Sequence, residues 1–348
     1  MFTVQVIDAW SLPCRRSTIV STRLPLSKLG SASTFRHYYP SHMLNVLIVI
    51  LPVFALIFLG NLCRRCDFPG GHFWAPAEKL TYFLFFPSLL VVTLAEADFS
   101  RLEVLPMVSA IVVAVLLVTV MSLLVRPYLG VDGPGFTSFY QGVVRFNTYI
   151  GLSVAFGLYG EAGLLAASMA VAVMVPLVNV TCILILARFG SARQPTIAGM
   201  VNQMLRNPLI LACVAGVLLN VTGLGLPIIL GDLLEILSRA ALPLGLLAVG
   251  AALDLRAVRR AKQIVLVSCA TKLVLLPLLT LGLCVAFGVG GLALNVAVLF
   301  TALPTATSAY VLARLLGGDA ALMANLCTIQ TLVAMVTMPV LLTLMPQI

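Results

Sequence analysis

From Met43 onward the chain is a succession of apolar runs, each about as long as a bilayer is thick; MLNVLIVILPVFALIFLG opens the series. A helix needs about 20 mostly apolar residues to cross the hydrocarbon core of a membrane. On that template the runs divide into ten spans, at approximately 44–63, 76–96, 104–125, 136–159, 162–187, 205–222, 228–252, 262–287, 291–316 and 320–345. They are continuously apolar and do not alternate, which argues for helices over barrel strands. The expected fold class is therefore an all-α membrane protein of ten transmembrane helices. Composition agrees, with 61% hydrophobic and 9% charged residues, where a soluble domain is roughly half apolar and a quarter charged. A soluble enzyme and a disordered chain are excluded. The excess of 21 basic over 12 acidic residues does not point to nucleic acid, because the cations stand in ones and twos between apolar runs and form no phosphate-binding stripe. The expected surroundings are a lipid bilayer, with no nucleic-acid partner.

Residues 1–42 differ in kind. They are rich in Ser, Thr and Arg, carry Arg15, Arg16, Arg23, Lys28 and Arg36 against the single acid Asp8, and lack an apolar stretch of signal-peptide length. One reading makes them upstream sequence with Met43 as the initiator; the other makes them a targeting or regulatory extension. Charge bias favours the first. Arg64 and Arg65, Arg126, Arg188, Arg193 and Arg206, the cluster Arg256, Arg259, Arg260 and Lys262, and Arg314 all fall on odd-numbered connections, whereas the even-numbered ones carry essentially Arg101 alone. Positive loops stay cytoplasmic, so both termini of the ten-span unit are expected outside, where a five-cation tail would break the rule. The cysteines give no framework: Cys182, Cys213, Cys269, Cys284 and Cys327 lie inside apolar runs, and the Cys63–Cys66 pair has no second pair or histidine to complete a metal site.

Landmarks recur at a fixed offset. Pro52 and Gly60 are matched by Pro208 and Gly216, and Pro87 and Asp98 by Pro243 and Asp254, each displaced by 156 residues. Gly160-Glu161-Ala162-Gly163-Leu164 is matched by Gly318-Asp319-Ala320-Ala321-Leu322 at an offset of 158. Three coincidences in register argue for duplication into 43–190 (spans 1–5) and 191–348 (spans 6–10). An odd number of spans per copy forces the second copy to be inverted, a signature of secondary transporters.

Span 4 is interrupted near its middle by Gln141, Arg145, Asn147 and Thr148, and span 9 by Thr301-Ala302-Leu303-Pro304-Thr305-Ala306-Thr307-Ser308. Proline removes a backbone donor and clashes with the preceding turn, while Asn is a preferred N-cap. Each span should then split into half-helices, and irregular backbone at that depth is tolerated only where it lines a cavity. The fresh N-termini present unpaired N–H groups and a positive dipole end, suited to a carboxylate. Arg145, Asn147, Thr148, Pro304, Thr305 and Thr307 are the candidate substrate-binding residues. Arg145 costs at least roughly 2.5–3.5 kcal/mol at mid-span and should face protein or water. Asn179, Asn325 and Lys272 are candidate cavity-lining residues, and Arg239 is a weaker cation of the same kind.

These residues carry a resemblance. LPVFALIFLGNLCRR, PSLLVVTLAEADF, RFNTYIGLSVAFGLYGEAGL, RNPLILACVAGVLLN, ALPLGLLAVGAALDL and LPTATSAYVLARLLGGDAALMA together resemble the auxin efflux carrier family, which includes bacterial malonate and malate permeases and plant auxin carriers. The resemblance implies two inverted five-helix repeats related to the bile acid:sodium symporter fold. It also implies a scaffold of spans 1, 2, 6 and 7, a transport body of spans 3–5 and 8–10, and crossed, broken spans 4 and 9 meeting near Asn147 and Pro304. The connection between spans 5 and 6 is short, unlike the long loop of the plant carriers, which suggests a bacterial-type permease in the inner (plasma) membrane.

The expected function is a secondary carrier of small organic anions, mono- or dicarboxylates, working by alternating access, with a homodimer as one admissible assembly. No cofactor or metal is expected; a coupling ion, Na+ or H+, is left open. Glu96, Asp98, Glu161, Asp254 and Asp319 lie near span ends, leaving no mid-membrane carboxylate among them. An inside-negative potential favours anion export by roughly 2.3 kcal/mol per charge per 100 mV. An intramembrane enzyme is disfavoured, since His37, His42 and His72 lie outside the spans and neither H-E-x-x-H nor G-x-S-x-G occurs. The alternative is a sensor that keeps the transporter fold and binds ligand without turnover.

Overall fold

The computed structural model describes residues 32–97, 104–191, 202, 206–255 and 263–345, and among these there is no strand. The expected readings of residues 1–31 lie outside the described residues. In chain order the helices are α1 (Ala32–Arg65), α2 (Trp74–Ala95), α3 (Val104–Val125), α4 (Gly133–Val144), α5 (Thr148–Phe189), α6 (Pro208–Val221), α7 (Ile228–Ala252), α8 (Gln263–Ala286), α9 (Gly291–Ala302), α10 (Ser308–Leu316) and α11 (Ala320–Thr343). Helix α1 begins ahead of the expected span start near residue 44. Seven helical stretches among the described residues are long and apolar enough to cross a membrane, and α6 and α9 are shorter apolar helices.

Helix starts follow local chemistry. Asp132 accepts from Gly135 N at 2.8 Å ahead of α4, Asp319 from Leu322 N at 2.9 Å ahead of α11, and Asn207 from Leu209 N at 3.0 Å ahead of α6, where Pro208 takes the first turn. These side chains satisfy N–H groups that the helix leaves unpaired. Helix α5 is bent at Gly160, whose φ of 60° and ψ of −147° lie in a region essentially reserved for glycine. The 57-residue stretch Gly133–Phe189 is therefore interrupted twice, between α4 and α5 and again at Gly160. Two π-helical turns, Thr81–Phe85 in α2 and Thr271–Leu275 in α8, widen those helices.

Packing sorts the helices into two groups. In one, α1 lies against α7, and α2 against α6 and α7; in the other, α4, α5, α8, α9 and α11 surround one another with α3. The first group packs backbone to backbone. A Cβ added at Gly60 would collide with the carbonyl of Leu247, and one at Gly250 with the carbonyl of Ile57, the close approach that small residues allow between membrane helices. Asn61 Nδ2 then donates to the carbonyls of Gly250 at 3.1 Å and Leu253 at 3.0 Å, closing the end of α7. On the other pair, Gly216 of α6 faces Leu94 of α2, and Asn220 Nδ2 donates to the carbonyls of Ala95 at 2.9 Å and Ala97 at 2.8 Å. Glycine makes the contact and asparagine closes the neighbouring helix end in both cases.

Candidate functional site: the crossing of two broken helices

The site is built where α4 gives way to α5 and α9 to α10. Helix α4 stops at Val144 because Arg145 is extended (φ −70°, ψ 151°), and Asn147, also extended, caps α5 with Oδ1 accepting from Tyr149 N at 3.1 Å and Ile150 N at 3.3 Å. Helix α9 stops at Ala302, Leu303 is extended, and α10 begins at Ser308. Proline at 304 forbids a continuous ladder through this stretch. The two interruptions meet: Asn147 N donates to Pro304 O at 2.8 Å. Gly151 lies so close to Phe300 and Leu303 that a side chain there would displace them, and the rings of Phe146 and Phe300 meet edge to face at 5.9 Å.

A buried clamp holds the crossing. Gln330 of α11 accepts at Oε1 from Thr305 N at 3.1 Å and lies 2.6 Å from Thr305 Oγ1, while its Nε2 donates to Gly142 O at 2.8 Å and Ser268 Oγ at 3.1 Å. Thr305 Oγ1 also donates to Gly142 O at 2.9 Å. The main-chain N–H and hydroxyl of Thr305 and the carbonyl of Gly142 thus find partners within the clamp, as irregular backbone at membrane depth requires.

The other side carries charge. Arg145 is half-buried; its Nη1 donates to Asn179 Oδ1 at 3.1 Å and its Nη2 to Ser308 Oγ at 3.3 Å. Its guanidinium thus lies beside the first residue of α10. Thr307, just before α10, donates through Oγ1 to Glu78 Oε1 of α2 at 3.3 Å, a bond between the two helix groups. Tyr149, in the first turn of α5, packs on Phe86 of α2 with ring centroids 4.4 Å apart and against Gly245 of α7. The crossing therefore abuts the α1–α2–α6–α7 group through Glu78, Phe86 and Gly245.

Of the sequence candidates, Arg145, Asn147, Pro304, Thr305 and Thr307 come together with Asn179, and Thr148 is the first residue of α5 beside them. Asn325 lies half-buried on α11, and among the described residues no hydrogen bond joins it to the crossing. Lys272 is fully buried in the π-helical turn of α8. Arg239 is exposed and pairs with Glu235 at 2.7 Å on its own helix. Sequence reasoning missed Gln330 and Glu78. Glu78 was legible as a carboxylate one turn inside an apolar span. Gln330 offered only a single amide in an apolar run. No group of three or more metal-capable side chains occurs among the described residues. A polar recess of about 700 Å³ opens at the joined ends of α1 and α7, lined by Asn61, Arg64, Arg65 and Asp254, away from the crossing.

Comparison with known proteins follows the same residues. The profile of the family described as "Membrane transport protein" matches residues 45–342. A protein of Rhizobium meliloti (strain 1021) named "Putative malonate transporter" is 28% identical over 302 residues, covering 79% of this chain and 88% of the relative. An "Uncharacterized transporter" of Methanothermobacter thermautotrophicus is 25% identical over 297 residues, covering 83% of this chain and 95% of the relative. The family is one of membrane transporters and not of enzymes. With 45–342 matched and both broken helices inside the match, the chain belongs to the membrane transport protein family, that of the auxin efflux carriers.

Proposed function

We propose that the protein is a secondary carrier of small organic anions, mono- or dicarboxylates, which binds the carboxylate at the crossing and moves it by alternating access. The observation that carries this reading is the half-buried Arg145 guanidinium held beside the start of α10, where Asn147 and Pro304 join two interrupted helices. A cation next to a helix N-terminus is an anion site in kind, and ionisable side chains at such depth mark substrate paths. The similarity to a protein named as a malonate transporter supports a dicarboxylate among the first candidates.

The carrier reading includes ten crossings in two inverted halves, 43–190 and 191–348. Gly133–Phe189 counts as two, bent at Gly160, while α6 supplies one and α9 with α10 another. The paired roles of Gly60 with Asn61 and of Gly216 with Asn220, on helices that the repeat equates, support this. The helices α1, α2, α6 and α7 then serve as the scaffold and the rest as the moving body. Both ends of the ten-span unit face outward, in a plasma membrane of bacterial type.

The test is flux into liposomes holding the protein from Met43 onward, with labelled malonate, malate, lactate and indole-3-acetate offered in turn. Saturable uptake of a carboxylate is expected. Arg145→Ala and Asn147→Ala are each expected to reduce it at least a hundredfold while leaving a folded, monodisperse protein. Wild-type rates in both variants would sink the site. Ligand-induced thermal stabilisation with no flux of any anion would indicate a sensor instead.

A further inference from the structure

Among the described residues, Lys272 is the one buried charged side chain, with no exposed surface at all, and its Nζ has no hydrogen-bond partner. It lies in the widened turn Thr271–Leu275 of α8, and π-turns of this kind are frequent at functional sites. The turn packs against α4, α9 and α11 and between its own flanks. The titratable groups on those elements are Tyr140 on α4, Cys269 and Cys284 on α8 and Cys327 on α11, while α9 has none. Cys182 of α5 stands within electrostatic reach of both Lys272 and Arg145. Of the acids beside these elements, Asp132 and Asp319 are end caps of α4 and α11, and Asp254 follows α7 with its backbone N donating to Thr328 Oγ1 of α11. Among the described residues, the elements packed against the turn thus carry no carboxylate to serve Lys272 as a counter-charge. Gln141 on α4, a helix that packs against this turn, is also buried with neither amide atom bonded.

Lys272 is also tied to the crossing. Ser268, one turn earlier on the same helix, accepts from Gln330, the residue that clamps Thr305 to Gly142. A buried ammonium requires an anion or a set of acceptors, whereas a neutral amine requires no counter-charge. The anion assigned to the Arg145 side of the crossing is the counter-charge that would arrive and depart. We propose that Lys272 is the binding site of a coupling proton, taken up with the carboxylate and released with it, so that the carrier is a proton–anion symporter. The proton passes from water on the side of anion entry to the amine nitrogen, forming an N–H bond, and returns to water on the far side as that bond breaks. A monocarboxylate then crosses with no net charge, and a dicarboxylate with one charge fewer. This rests on the carrier reading above.

The experiment compares wild type with Lys272→Met and Lys272→Gln in liposomes, with the membrane potential clamped at zero and an imposed pH gradient. The labelled probes are malonate, malate, lactate and indole-3-acetate, corrected for protein-free liposomes. One-to-one coupling gives the wild type about tenfold accumulation of its anion per pH unit of inward-directed proton gradient. The variants are expected to exchange labelled for unlabelled anion across the membrane but to accumulate no more than about onefold. Removing an unpartnered buried amine should leave the thermal midpoint of Lys272→Met at or above that of the wild type, so loss of coupling can be separated from loss of fold. In detergent, adding the transported anion should draw about one proton per wild-type protein and none per variant, read with a pH indicator. Gradient-driven accumulation retained in both variants overturns the inference and leaves the carrier reading standing, as does wild-type exchange without any response to the pH gradient. A wild type that neither binds nor moves any of the four anions overturns both.

Discussion

Gln330 sits in an apolar stretch of α11, with Ile329 on one side and Thr331 on the other, yet its amide reaches from a third helix to both interruptions, at Thr305 and at Gly142. Amides and hydroxyls between membrane helices commonly contribute a fraction of a kcal/mol each. Gln330 differs because one of its partners is the main-chain N–H of Thr305, beside Pro304, where no helical carbonyl is in place to accept it. Gln330→Leu removes that acceptor and leaves a buried donor unpaired, at a cost of about 1–3 kcal/mol. A lowered thermal midpoint is expected, together with loss of anion binding, because Thr305 then no longer fixes the register of the break. Thr337→Val on the same helix removes only a bond from Thr337 to the carbonyl of Val333 within its own turn and should lie within about 0.5 kcal/mol of the wild type. Equal midpoints for the two variants would show that the clamp is not what holds the crossing.

At the scale of elements, interruptions were easier to read from sequence than what holds them. Proline at 304 and asparagine at 147 in otherwise apolar runs announce a break, because each has a strong local preference that no neighbour can cancel. They mark positions in the chain; partners are another matter. Gln330 lies 25 residues from Thr305 and Glu78 lies 229 residues from Thr307, and no periodicity or motif connects residues so far apart. Lys272 was legible as an intramembrane cation but not as one without a partner, since burial and pairing are properties of packing. The glycines fall between these extremes: the repeat singled out Gly60 and Gly216, whereas Gly250, which makes the matching approach from α7, carried no signal. Gly250→Ala places a Cβ against the carbonyl of Ile57 and the backbone nitrogen of Asn61, so α1 and α7 must separate, at about 1–3 kcal/mol for overpacking. Gly282→Ala on α8 meets nothing within 4 Å and should be neutral or stabilise by about 0.5–1 kcal/mol, as alanine does in a helix interior. Thermal midpoints of the purified variants, read side by side, decide whether the α1–α7 contact is as close as the structure has it; two unchanged midpoints would contradict it.

For the whole molecule, the two helix groups meet at the crossing through few polar ties, and the bond from Thr307 to Glu78 is one that spans them. Alternating access asks the group with the crossing to move against the α1–α2–α6–α7 group while its own clamp, made wholly of α4, α8, α9–α10 linker and α11 residues, stays closed. A contact between groups must then break in every cycle, whereas one within a group need not. Glu78 is suited to the breakable kind: its carboxylate takes the Thr307 hydroxyl at the place where a substrate carboxylate is proposed to arrive, so an incoming anion competes for the same donor. Joining the two groups at this point should therefore stop turnover without undoing the fold. With Cys63 and Cys66 replaced by serine, Glu78→Cys together with Thr307→Cys can be bridged by a short bifunctional thiosulfonate and released by reductant. The bridged protein is expected to lose at least tenfold in anion flux and to recover it on reduction, while each single variant treated the same way keeps its own rate. If bridging at this pair proceeds to completion and flux continues unchanged, the two groups do not move apart here, and the division into a scaffold and a moving body at the α2–α10 boundary is wrong.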